Sequence, residues 1–245
     1  MSDLDFSGRT VLVVGGSSGI GNGIARSFLA RGAEVHVTGT KAVADDYAGT
    51  AGSELDGLAY SQLDVTDPEN IERYEPAFAT LDALVLSQGL VVYKRGEFER
   101  AGWDKVMAVN LDSLMHCSRR FKDMLAAGGG SVIIISSFTA FLSSVGNPAY
   151  AASKAGAVSL TRTLGEAWAG DGVRVNGIAP GFVETKLTTI TTQNPQRSDA
   201  VLASIPMRRF GTVDDIAGAA LFLASPLASY IVGQTIVVDG GIMLS

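Results

Sequence analysis

Histidine and cysteine are close to absent: the chain contains His36, His116 and Cys117 and no others of either type. A single cysteine cannot form an intrachain disulfide, and Cys117 reads as a small buried residue. Zinc centres draw on clustered His and Cys, so no metal site is expected. A Ser/His/Asp triad would have to use His36, inside an apolar strand pattern, or His116, inside a long helical one. Both read as packing residues, which disfavours a serine hydrolase. Basic charge is scarce as well. The 19 Lys and Arg are outnumbered by 25 Asp and Glu, for a net charge of −6 and a pI near 4.9. That balance lacks the basic face of a nucleic-acid binder. No apolar run reaches the ~20 residues that span a bilayer, and Met1–Phe6 is acidic rather than apolar, unlike a signal peptide. The expectation is a soluble cytoplasmic protein with no nucleic-acid and no membrane partner.

What is present is apolar content and glycine. Apolar residues make up 47% of the chain and charged residues 18%, the balance of a folded protein with a large core. The 245 residues suit one α/β domain spanning 1–245. Short β-rich runs fall at Thr10–Val14, Val35–Thr38, Leu58–Gln62, Ala83–Leu86, Val132–Ser136, Arg174–Ile178 and Thr235–Val238. Helical patterns lie between them at Ile20–Arg31, Pro68–Ala77, Ala101–Ala127, Pro148–Ala169 and Val213–Ala224, with a weaker, glycine-interrupted one at Ala42–Leu55. This alternation predicts βαβ units in a doubly wound parallel sheet. One long stretch, Lys186–Arg209, shows no clear pattern and reads as a substrate-side flap or a surface insertion.

The first strand runs into Gly15-Gly16-Ser17-Ser18-Gly19-Ile20-Gly21, where a helix begins. Backbone N–H groups and the helix dipole at such a turn can hold a pyrophosphate. Gly15 permits the turn, Gly19 the approach of phosphate, and Gly21 close packing of helix on strand, while Ser17 and Ser18 add hydroxyl donors. The spacing differs from Gly-x-Gly-x-x-Gly, so its place after the first strand carries the dinucleotide reading. An NAD-selective site sets an acid about 20 residues further on, at the end of the second strand. No carboxylate appears from Val35 to Ala44, and Thr40 with Lys41 could meet a 2′-phosphate. NADP(H) is favoured over NAD.

Ser137, Tyr150 and Lys154 form a second signal. Four residues apart, Tyr150 and Lys154 share one helix face, with Asn147 as a candidate cap and Pro148 at the first position. A free tyrosine titrates near pKa ~10, too high for a base at neutral pH. A nearby ammonium would lower that value and let Tyr150 act as acid or base. Ser137, just past a strand, could hydrogen-bond the substrate oxygen.

In their order and spacing, Gly15-x-x-x-Gly19-Ile20-Gly21, Asn110, Ser137, Tyr150-x-x-x-Lys154 and Pro180-Gly181 make the chain resemble the short-chain dehydrogenase/reductase family, and within it the 3-oxoacyl-[acyl-carrier-protein] reductase-like members. The resemblance covers essentially the whole chain. It implies a Rossmann-like seven-stranded sheet and a homotetramer. It assigns Asn110 to a helix break that places a water beside Lys154 for proton relay, and Lys154 to the nicotinamide ribose as well as to Tyr150. It assigns Asp64 and Val65 to the adenine, Gly89 to the turn beside the adenosine ribose, and the segment Pro180, Gly181, Val183 and Thr185 to the carboxamide. Two departures stand out. Val14 replaces a common threonine, and Leu86-Ser87-Gln88-Gly89 replaces Asn-Asn-Ala-Gly, so that Ser87 or Gln88 must substitute for the central asparagine.

Val91, Val92, Tyr93, Phe138, Phe141 and Leu142 suggest an apolar substrate pocket between the turn after Gly89, the segment Phe138–Asn147 and the flap. Lys94 and Arg95 read as solvent-facing. A ketone or 3-oxoacyl reductase is favoured; the alternatives are an NAD-dependent alcohol, polyol or sugar dehydrogenase, and a non-catalytic dinucleotide sensor. The apolar ending Ile242-Met243-Leu244 suggests a partner subunit or packing onto its own domain.

Overall fold

β1 (Thr10–Val14) buries all five of its side chains. A strand covered on both faces needs a helical layer on each side. A computed structural model describes residues 4–244; Met1–Asp3 and Ser245 of the expected 1–245 domain lie outside the described residues. Among the described residues, β1 joins β2 (Glu34–Gly39), β3 (Ala59–Gln62), β4 (Ala83–Leu86), β5 (Ser131–Ile135), β6 (Arg174–Pro180) and β7 (Thr235–Val238) in one sheet. Its order is β3-β2-β1-β4-β5-β6-β7, and each pairing is parallel. The helices are α1 (Gly19–Leu29), α2 (Pro68–Arg73), α3 (Arg100–Met107), α4 (Ser113–Gly128), α5 (Pro148–Ala169), α6 (Thr189–Thr192), α7 (Pro195–Ser204) and α8 (Val213–Ala224).

The period-2 alternation of the strands sorts the core into two layers. Val11, Val13, Ile133 and Ile135 pack with Ile24 and Phe28 of α1 and Ile216 and Leu221 of α8. Leu12, Val14, Val132 and Ile134 face Leu114 and Phe121 of α4 and Leu164 and Trp168 of α5. Cys117 lies in this second layer, where burial and then the charge of Glu72 push its thiol up to about 12. His36 is a packing residue too, its ring 4.6 Å from that of Phe78, and His116 is half-buried on α4.

Four expected elements take a different form. Ala42–Leu55 holds only a 3-10 turn, Ala44–Tyr47, because Gly49 and Gly52 adopt positive φ and interrupt any longer helix. The helix at Pro68 ends at Arg73 rather than Ala77; Pro76 disfavours helical backbone just before it. Ala101–Ala127 is two helices, α3 and α4, joined by a π-turn at Ala108–Asp112 that contains Asn110. Lys186–Arg209 is mostly helical, with a 3-10 turn at Lys186–Thr188 followed by α6 and α7. Asn194 caps α7 by accepting the Arg197 N–H at 3.1 Å, and Pro195 takes its first position.

The sheet order reverses beside β1, between β1 and β4. In open α/β sheets, ligands bind outside the carboxyl ends of the strands at this switch point.

Candidate active site

The turn from β1 into α1 stands at that edge. Gly15 has φ +75°, and a Cβ there would lie 2.7 Å from the Gln88 backbone nitrogen, so the turn is pressed against the end of β4. A Cβ on Gly21 would come within 2.3 Å of the Gly15 carbonyl oxygen, which seats α1 directly on the turn. Gly19, at φ +60°, has only the Thr185 side chain within 4 Å of its open face. Its N–H donates to the Gly52 carbonyl at 2.8 Å, so the segment 52–54 covers the helix N-terminus at which a dinucleotide pyrophosphate would be held. Ser17 is buried, Ser18 is the N-cap residue of α1, and Ile20 lies in its first turn. Thr40 and Lys41 follow the end of β2.

The same edge collects the remaining candidates. Pro180 ends β6, and Gly181 lies so close to Asp239 that a Cβ would meet its Cα at 2.6 Å. Val183 is buried and bridges to Gly211, which turns the chain so that Thr185 reaches Gly19. Asp64 is exposed after β3 and accepts from the backbone N–H and the hydroxyl of Thr66. Val65 packs into the second core layer.

Ser137 follows β5, and its Oγ accepts from the Thr139 N–H at 3.2 Å. Lys154 is buried, and its Nζ donates to the Ile135 carbonyl at 3.0 Å and lies 5.7 Å from the centre of the Tyr150 ring. A Cβ on Gly89 would stand 3.5 Å from Lys154 Nζ and 3.7 Å from Asn110 Oδ1, so these three residues adjoin. Asn110 is fully buried. Its amide donates to the Leu90 carbonyl at 2.9 Å, and its Oδ1 accepts the Leu90 N–H at 2.8 Å, pinning the turn after β4 to the π-turn. Burial raises the pKa of the Tyr150 phenol; the Ser137 hydroxyl pulls it down, and Tyr93 and Glu97 push it further up. Burial also lowers Lys154 to about 8. Among the protein's own groups, the balance at Tyr150 is thus the reverse of the expected lowering.

Glu97 carries no signal in the sequence pattern, yet it is fully buried at the heart of this arrangement. One carboxylate oxygen accepts the Tyr150 N–H at 2.9 Å, and the other accepts from the Val92 N–H at 3.1 Å and the Asn147 amide at 3.2 Å. Asn147 therefore does not cap α5 with its own side chain. A carboxylate at a helix N-terminus is the stronger acceptor, and the asparagine amide donates to it instead. The Gln88 amide donates to Ser113 Oγ at 2.9 Å, and that hydroxyl donates to the Val109 carbonyl. The Gln88 side chain ties the strand end to the π-turn, and the Ser87 N–H ties it to the Val14 carbonyl of β1 at 2.9 Å.

The expected pocket walls also meet. Phe138 lies 5.2 Å from the Phe182 ring, Phe141 and Leu142 are exposed, and the Tyr93 hydroxyl donates to the Leu187 carbonyl. Val91 and Val92 are half-buried, while Lys94 and Arg95 point to solvent from left-handed backbone.

Glu97→Gln would present an amide donor to donors already in place. Urea denaturation should show a loss of about 1.5–3 kcal/mol, the worth of hydrogen bonds to a charged group. The acid–base profile of activity should move to lower pH, because a charge that raises Tyr150 is gone. Unaltered stability and an unaltered profile would show that Glu97 does neither.

A family model described as enoyl-(acyl carrier protein) reductase matches residues 14–243. The 3-oxoacyl-[acyl-carrier-protein] reductase FabG of Chlamydia pneumoniae is 36% identical, covering 98% of this chain and 99% of the relative. The galactitol 2-dehydrogenase (L-tagatose-forming) of Cereibacter sphaeroides is 39% identical over 96% of this chain and 95% of its own. A crystal structure from Agrobacterium tumefaciens with bound NADP superposes with a TM-score of 0.89 at 35% identity, and both chains are covered in full. With a parallel seven-stranded sheet, a glycine turn at its switch point and relatives matched end to end, the chain belongs to the short-chain dehydrogenase/reductase family and is an oxidoreductase of alcohol and ketone groups.

Proposed function

We propose that the protein reduces a ketone or 3-oxoacyl compound with NADPH, Tyr150 giving the proton. The observation that carries this reading is the half-buried phenol of Tyr150 at the strand edge that also presents Ser137, with the Lys154 ammonium 5.7 Å from the centre of its ring. When bound, the nicotinamide supplies the hydride. Ser137 and Tyr150 hold the substrate oxygen, and Tyr150 donates to it as negative charge develops there. Lys154, still mainly protonated at neutral pH, stabilises the phenolate that remains. Asn110 and its π-turn keep the path from Lys154 to solvent in place for reprotonation. Gly15, Ser17, Ser18, Gly19, Ile20 and Gly21 would hold the pyrophosphate, and Thr40 and Lys41 the 2′ end of the adenosine. Asp64, Val65 and Gly89 would hold the rest of the adenosine; Pro180, Gly181, Val183 and Thr185 the carboxamide; and Lys154 and Tyr150 the nicotinamide ribose.

The aromatic and aliphatic walls at Tyr93, Phe138, Phe141 and Leu142 favour an apolar carbonyl substrate, and the helical segment 186–209 acts as its flap. A second reading, polyol or sugar oxidation, has support in the galactitol dehydrogenase relative. Exposed apolar side chains at Val237 and Leu244 on the β7 side favour a homotetramer.

Tyr150→Phe should cut kcat by ~10²–10⁴-fold; unchanged turnover with the best substrate of a ketone, 3-oxoacyl and polyol panel would sink the mechanism. In the reductive direction, kcat/KM should fall as pH rises through about 8, where Lys154 loses its proton; a rate that climbs across that range would contradict the role of Lys154. NADPH should exceed NADH in kcat/KM by ~tenfold, the equivalent of about 1.4 kcal/mol, and equal values would refute the cofactor preference. Sedimentation equilibrium should give four times the 25.4 kDa chain mass; a monomer would exclude the tetramer.

A further inference from the structure

The end of β2 is already occupied by a side chain from further along the chain. The backbone N–H groups of Thr40 and Lys41 both donate to the phenol oxygen of Tyr47, at 3.1 and 3.3 Å. Two successive N–H groups converging on one point form an anion nest, and here a neutral hydroxyl fills it. A Cβ on Gly39, the last residue of β2, would lie 2.4 Å from that oxygen and 2.6 Å from Ser17 Oγ. The phenol thus takes the room in which an acidic selector of the ribose 2′-OH would stand. Burial acts to raise the pKa of Tyr47, but hydrogen bonds from Ser17, Lys41, Tyr60 and Thr40 outweigh it and the net direction is down, as expected of an oxygen that is chiefly an acceptor. The Lys41 ammonium lies 4.4 Å from the centre of the Tyr47 ring, and the Tyr60 hydroxyl donates to the Lys41 carbonyl.

The segment that carries Tyr47 is anchored at its far end. Gly52 accepts the Gly19 N–H at 2.8 Å, the Ser53 hydroxyl donates to the Ser17 carbonyl at 2.6 Å, and Asn22 pairs with both backbone groups of Glu54. Between anchor and tyrosine stands Gly49, at φ +71° with nothing near its Cβ position.

We infer that Tyr47 is a specificity-determining residue of the dinucleotide site: its hydroxyl competes with a cofactor 2′-phosphate for the Thr40 and Lys41 N–H groups and so limits the preference for NADP over NAD. This rests on the dinucleotide reading above. In NADP(H) binding, the two N–H groups and Lys41 exchange the phenol for the phosphate; in NAD(H) binding, the phenol stays. Isothermal titration calorimetry of wild type and Tyr47→Phe with NADP⁺ and with NAD⁺ tests this without any substrate. Freed of its competitor, the variant should bind NADP⁺ ~tenfold more tightly, with NAD⁺ affinity within about twofold. A weaker NADP⁺ complex would make the hydroxyl a ligand of the phosphate and overturn the inference, as would equal shifts for both nucleotides. Failure of both nucleotides to bind the wild type would instead overturn the dinucleotide reading itself, and the inference with it.

Discussion

A carboxylate with no access to water organises the catalytic edge of this protein. Burying Glu97 is costly, and a charge there persists only with donors on both oxygens. It receives them from three directions: the first turn of α5, the turn after β4, and Asn147. The helix macrodipole adds to the same balance. Because its partners belong to separate segments, Glu97 sets their relative positions. The α5 helix that presents Tyr150 and Lys154 is thereby locked to the turn that carries Gly89 and Leu90. Asn110 makes a second lock on that turn through its paired bonds to Leu90.

Burial then shapes the chemistry. The same burial pushes Tyr150 toward its neutral form and Lys154 away from its charged form, so their pKa values move apart, the phenol's upward and the ammonium's down to about 8. A phenol that holds its proton beside a more acidic ammonium favours donation to a substrate oxygen, with the ammonium able to return a proton to the phenolate. The Ile135 carbonyl keeps the ammonium aimed at the strand edge, where β5 delivers Ser137.

Much of this could be read from the residues in order. The strands were legible because parallel strands buried on both faces are near-continuous apolar runs, and each expected strand overlaps an observed one. The α5 and α8 limits matched because Pro148 and the Thr212 capping box mark their starts. Glu97 was not legible, since its partners lie up to 53 residues away and nothing local distinguishes it from a surface glutamate. Tyr47 was hidden for a related reason: it belongs to a strap held by contacts with α1 rather than by a periodic pattern. The helices within 186–209 carry little apolar periodicity, though Asn194-Pro195 is a cap-and-first-position pair that could have revealed α7. The π-turn was foreshadowed only through Asn110.

The solitary thiol of Cys117 lies on the buried face of α4 with its ionisation pushed far above neutral pH, so it presents no thiolate to solvent. A cysteine placed by design on an exposed position of α7 would therefore be the one site that reacts quickly with a maleimide. The native chain already provides the blank background for a single fluorescent or spin label on the helical segment 186–209, and any motion of that segment could be timed without removing any residue.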